Sequence, residues 1–133
     1  MVEAEGMPPT ANVASPGLRL NYIGEHCYAM NSLGVADSET TMLEFTTGEG
    51  YILATLQPGK ISNTGDDIGW IVYFNEQVVY GFFTGDSSIN EVYQLPLNLL
   101  LPPFTNFKAT AENVSDTSTD TITGMFVGRV YDV

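Results

Sequence analysis

From Leu18 onward apolar and polar residues alternate with a period of two, the repeat of a half-buried strand. Leu18, Leu20 and Tyr22 alternate with Arg19, Asn21 and Ile23, and Tyr28, Met30, Ser32 and Gly34 lie opposite Cys27, Ala29, Asn31 and Leu33. Thr40 to Thr47 is rich in β-branched and aromatic residues, with Leu43 and Phe45 on one side and Met42, Glu44 and Thr46 on the other. Gly48-Glu49-Gly50 reads as a hairpin turn, and Tyr51 to Gln57 returns as a strand. Pro58-Gly59 opens a loop through Asp67, followed by a strand from Ile68 to Phe74 that places Trp70, Val72 and Phe74 on one face. Asn75-Glu76 predicts a two-residue turn, although glutamate resists the positive φ that such a turn asks of it. Gln77 to Thr84 pairs back and is apolar on both faces, so one face is expected on the core and the other against a covering partner. The last strand runs from Thr121, with Ile122, Gly124, Phe126, Gly128 and Val130 on one side.

The longest apolar run, Asn90 to Lys108, is cut by Pro96, Pro102 and Pro103. Proline removes a backbone donor and clashes with the preceding helical turn, so this run is extended rather than helical. It is expected to be a buried spine: a strand from Leu97 to Leu101 with Leu97, Leu99 and Leu101 as core contacts, a Pro-Pro corner, and a strand from Phe104 to Thr110. No segment keeps an amphipathic helical period. Eight or so antiparallel strands predict an all-β sandwich, jelly-roll-like, over residues 18–133. Residues 1–17 hold three prolines and no sustained period, and read as an extended N-terminal arm in which Met7, Pro8, Pro9 and Val13 are candidate contacts to a neighbour.

Charge narrows the function classes. Sixteen acids face four bases, a net charge of -12. Nucleic-acid binding needs a basic surface, and an anionic membrane would repel this one, so neither partner is expected. Residues 58–67 and 85–90 are loops whose acids, Asp66 and Asp67 with Asn63 or Asp86, could hold calcium but match no ligand template. His26 is the single histidine, too few for a cupin-type metal centre. Cys27 is the single cysteine and reads as a buried apolar residue. The Asn113-Val114-Ser115 sequon reads as a chance match, because no secretory leader is read in the sequence. Glu44 lies mid-strand with no partner acid, and no nucleophile–base pair can be named, so no catalytic residue, no metal site and no cofactor is expected. Trp70, Tyr73, Tyr80, Phe82, Phe83 and Tyr93 could serve as a sugar-stacking platform, or as core and interface.

The runs LPLNLLLPPFTNFKATAEN, TITGMFVGRVY, TTMLEFTTGEGYI and IGWIVYFNEQVVY resemble strands of small β-sandwich virion proteins of tailed phages, including capsid decoration proteins. The resemblance spans about residues 25–131 and carries no catalytic motif. It implies a non-enzymatic protein on a capsid surface, a decoration or minor capsid protein that binds the major capsid protein and forms a homotrimer. The apolar hairpin and last strand supply the candidate interface: Val78, Tyr80, Phe82, Phe83, Met125, Val127 and Tyr131. The alternative is a carbohydrate-binding or adhesin module built on the aromatic hairpin.

Overall fold

Period-two alternation becomes nine strands among residues 19–61, 65–84 and 96–132, the residues described by the structure, a computed structural model. They are β1 (Asn21–Ile23), β2 (His26–Val35), β3 (Thr40–Thr46), β4 (Tyr51–Lys60), β5 (Ile68–Phe74), β6 (Gln77–Thr84), β7 (Leu97–Leu101), β8 (Asn106–Asn113) and β9 (Asp120–Tyr131). Two antiparallel sheets pack face to face, one in the order β1-β2-β9-β4-β7 and the other in the order β3-β8-β5-β6. The pairings are nested: β5 with β6, β4 with β7, β3 with β8, and β2 with β9. The chain is thus one long two-stranded ribbon folded back on itself. Successive rungs of that ribbon alternate between the two sheets, and β4–β9 and β5–β8 pairing seals each sheet. This wrapped ribbon is the jelly-roll topology, the sandwich expected from the number of strands.

The core lies between the inner faces. Cys27, Ala29, Ile52, Leu56, Ile122 and Phe126 come from the five-stranded sheet; Leu43, Phe45, Ile68, Trp70, Val72 and Phe107 come from the other. Phe45, Phe107 and Phe126 form a triangle across the interface, with ring centroids 4.9 to 5.2 Å apart. Each buried side chain of this size stabilises the fold by about 1.5–3 kcal/mol relative to exposure. The sheets approach closely at β9. A Cβ on Gly124 would sit 3.2 Å from the Trp70 ring of the facing sheet, and one on Gly128 would sit 2.6 Å from Ile52 Cγ2 on the neighbouring strand β4. Glycine on the inner face of β9 therefore makes room for the Trp70 ring across the interface at Gly124 and for the flanking Ile52 side chain at Gly128.

The ribbon's tip is the Asn75-Glu76 turn, where both residues have positive φ (52° and 68°). That is the type I′ geometry favoured in two-residue hairpins. Glu76 accepts it because Asn75 is pinned to β8: its N–H donates to the Asn106 carbonyl at 2.8 Å, and its Oδ1 accepts from Asn106 N–H at 2.9 Å.

Four sequence expectations need correction. The spine is β9, paired on both sides along most of its length, and not the proline-bounded run. β7 is an edge strand of five residues; Leu101 is fully buried, and Leu97 and Leu99 are half-buried yet pack on the core, so all three are core contacts as expected. Prolines at both ends remove ladder donors, which an edge strand tolerates and a central one does not. Gly48-Glu49-Gly50 is not a hairpin, because β3 and β4 belong to different sheets. It is a crossover, and Gly50 is needed because a Cβ there would meet the Tyr131 carbonyl oxygen at 2.7 Å. The Pro-Pro corner is the matching crossover, and the two are locked together. Thr47 Oγ1 donates to the Pro102 carbonyl at 2.8 Å and accepts from Thr105 N–H at 2.8 Å, while Phe104 N–H donates to Gly48 O at 2.9 Å.

Pro58-Gly59 does not end β4, which continues to Lys60. β7 pairing stops at Leu56–Leu97, so Pro58 needs no donor on that side. Finally, Met42 is buried alongside Leu43, since a bulge between Thr41 and Leu43 turns neighbouring side chains the same way.

Candidate interaction surfaces

Two apolar surfaces stand out on the sandwich, one on each sheet. The first is β6, the last strand in the order of the four-stranded sheet. Val78 and Phe83 point to the outer face and are 63% and 72% exposed. Tyr80 points to the inner side yet is 48% exposed. Val79 is the extra residue of a bulge opposite Val72 and Tyr73, and it is exposed too. Phe82 differs from its neighbours: it is half-buried and stacked parallel on Trp70, centroids 6.0 Å apart, so it caps the core. Exposed apolar groups of this size mark contact sites more often than isolated surface residues do.

The second surface is the outer face of the five-stranded sheet. Cross-strand pairing sets Tyr28 beside Val127 and Met30 beside Met125, and all four are exposed. Leu53 and Leu100 make a further exposed pair at the β4–β7 ladder. Arg129 lies between Leu53 and His26 in the register, bridged to Glu25 at 2.7 Å. Tyr131 stacks on Tyr51 at 5.3 Å, with Arg129 over its ring.

The expected interface residues are therefore not one patch. Val78, Tyr80, Phe82 and Phe83 sit at the edge of one sheet; Met125, Val127 and Tyr131 sit in the middle of the other. The pairing β2–β9 could not be read from the sequence, so Tyr28, Met30, Leu53 and Leu100 were missed, although their alternation with buried neighbours placed Tyr28 and Met30 on the outer face. Met7, Pro8, Pro9 and Val13 lie outside the described residues, as do Asn63, Asp86 and Tyr93.

The other candidate chemistry is taken up by structure. Trp70 is 1% exposed and Tyr73 points to the opposite face, so they form no shared stacking platform. Cys27 is buried, and loss of hydration pushes its thiol up to about 12. His26 is on the other face of β2, as alternation predicts. Glu44 is half-buried opposite Lys108 in the ladder. Glu39 is hydrogen-bonded by Thr110 Oγ1 at 2.6 Å and by the Tyr73 hydroxyl, and these donors hold its carboxyl below the usual carboxylate range.

Asn113, half of the sequon, is buried, and its amide is fully engaged. Nδ2 lies within reach of Ser118 O (2.8 Å), Asp116 Oδ1 (3.1 Å), Asp120 Oδ2 (3.2 Å) and Asp66 Oδ2 (3.3 Å). Asp66 thus belongs to a knot that ties the β4–β5 and β8–β9 connections together, with the amide nitrogen at its centre. Hydrogen bonds from Ser118 hold Asp116 below the usual carboxylate range. Among the described residues, no group of three or more His, Cys, Asp or Glu side chains is arranged to hold a metal ion. Sequence reasoning missed this knot, although the density of Asp, Asn and Ser between 113 and 120 was visible as a polar connection.

No protein-family model matches the chain, and no curated relative was found for it. Among solved structures it is similar to a protein of infectious bursal disease virus in two strains. The match to the Gt strain has 14% identity and a TM-score of 0.44; the match to the Gx strain has 13% and 0.42. These alignments cover 97% and 96% of this chain but 38% of each viral chain, so it spans less than two fifths of their length.

Proposed function

We propose that the protein is a structural virion component, a decoration or minor capsid protein that joins copies of itself and the major capsid protein into a stabilised shell. The observation that carries this is the pair of separate apolar surfaces on a rigid sandwich, β6 on one sheet and the Tyr28–Met30–Met125–Val127 block on the other. A molecule with two such surfaces binds two neighbours at once, which is what a building block or cement does. One surface takes a copy of the chain; the other takes the shell. The sequence resemblance to phage virion proteins supports the same reading, and jelly rolls recur as capsid domains, a fold-level analogy. The acidic remainder keeps densely packed copies soluble.

Two measurements test the two halves separately. Mass spectrometry of gradient-purified particles from the source culture should find the protein at high copy number, and its absence overturns the virion assignment. Met30→Asp combined with Met125→Asp should abolish particle binding while thermal unfolding stays cooperative; unchanged binding removes the five-stranded face from the interface. Glycan-array binding by the wild type would instead favour the adhesin reading.

A further inference from the structure

The four strands at sheet edges are not alike. β1 is three residues long, β7 is five residues bounded by prolines, and β3 carries a bulge and Glu44. These are the devices by which sheet edges avoid pairing with another chain. β6 runs for eight residues, Gln77 to Thr84, with no charged residue and no proline. Its one irregularity, the Val79 bulge, lies towards the turn and leaves Tyr80 to Thr84 in regular register with β5. Among the described residues the strand order stops at β6, so its outer backbone groups face no further strand of this sheet.

Charge limits where a second copy can sit. Two copies each carrying -12 repel wherever acidic surfaces meet. β6 is an uncharged strip beside which a second copy can be seated, and its apolar side chains on both faces gain cross-strand apolar neighbours from an identical strand. We propose that β6 pairs antiparallel with β6 of a second copy about a two-fold axis, fusing the two four-stranded sheets into one eight-stranded sheet. The contact is isologous: each strand offers the same edge to the other. It rests on the self-association in the proposed function and sharpens it, because a strand pair of this kind closes as a dimer and not as a trimeric ring.

A cysteine scan of Val78, Tyr80, Gly81, Phe83 and Thr84, one position at a time, tests the geometry. Cys27 is buried and does not compete. In an antiparallel two-fold pair the partner numbers have a constant sum. Self-cross-linking is therefore expected near the axis alone, while positions equally far on either side cross-link only when two variants are mixed. Sedimentation equilibrium should give a dimer, and Tyr80→Lys or Phe83→Lys should weaken its dissociation constant by about thirtyfold or more, the scale of a buried aromatic anchor. Trp70 emission serves as the fold control. A wild-type trimer, or cross-linking without the constant sum, overturns the two-fold strand pair but leaves shell assembly standing. A wild-type monomer overturns self-association as well, and particle binding by that monomer would still stand as a separate result.

Discussion

Gly128 shows how much one missing methyl decides. The position 2.6 Å from Ile52 Cγ2 leaves no room for a Cβ, and Cys27 Sγ would be 3.2 Å away on the far side. Gly128→Ala should destabilise the fold by about 1–3 kcal/mol, the usual cost of overpacking a core, read as a lower urea midpoint. Asn113→Asp is expected to cost about 3–5 kcal/mol, because it replaces the donor at the centre of Asp66, Asp116 and Asp120 with a fourth acid. Glu39 gives a pH signature with a definite sign. Its folded carboxyl is depressed, so its contribution is present above the unfolded value of about 4.3 and fades as pH falls through the folded one. Urea titrations at neutral and acidic pH should therefore show a smaller acid loss for Glu39→Gln than for the wild type. The Cys27 thiol, pushed up to about 12, should resist alkylation until the protein unfolds. Alternation placed Cys27, Trp70 and the inner glycines of β9 correctly, because face is a property of the local chain. It was silent on Asn113, whose partners come from two distant connections.

At the scale of elements, the legible strands were those with clean alternation: β2, β5, β6 and β9 lie where the pattern put them. What the pattern does not hold is which strands pair. Gly48–Gly50 has hairpin composition, yet the chain there changes sheets, and the choice is made by Thr47 and Thr105 far apart in sequence. The apolar run at Leu97–Leu101 looked like a core strand by content alone; its prolines carried the decisive information, that it is short and sits at an edge. Alternation also found the apolar strand β6 but not its place at the end of a sheet, which is what turns composition into a surface. The tip of the ribbon offers a check on local strain. Glu76 holds φ at 68°, so Glu76→Gly should raise stability by about 0.5–1 kcal/mol in denaturant melts, provided the Asn75–Asn106 bonds persist.

The whole molecule is a ribbon whose outermost rung, β2 with β9, joins the segments farthest apart in sequence. Such topologies fold on the millisecond-to-second scale, since loop closure precedes the reward of non-local pairing. Added salt should strengthen association of the -12 chain by screening repulsion between copies, seen as a lower dissociation constant in sedimentation. The same rung has a mechanical consequence. His26 opens β2 opposite Arg129 near the close of β9, and Val130 N–H donates to the Glu25 carbonyl at 2.8 Å. Tension applied through residues 19 and 132 would thus bear on one corner and peel β2 from β9 rung by rung. Hydrogen bonds loaded in that order fail singly, like the teeth of a zipper, so the sandwich yields at low force when pulled along its chain. Load that enters through the broad sheet faces is shared by many bonds, and the sandwich withstands far more force from that direction.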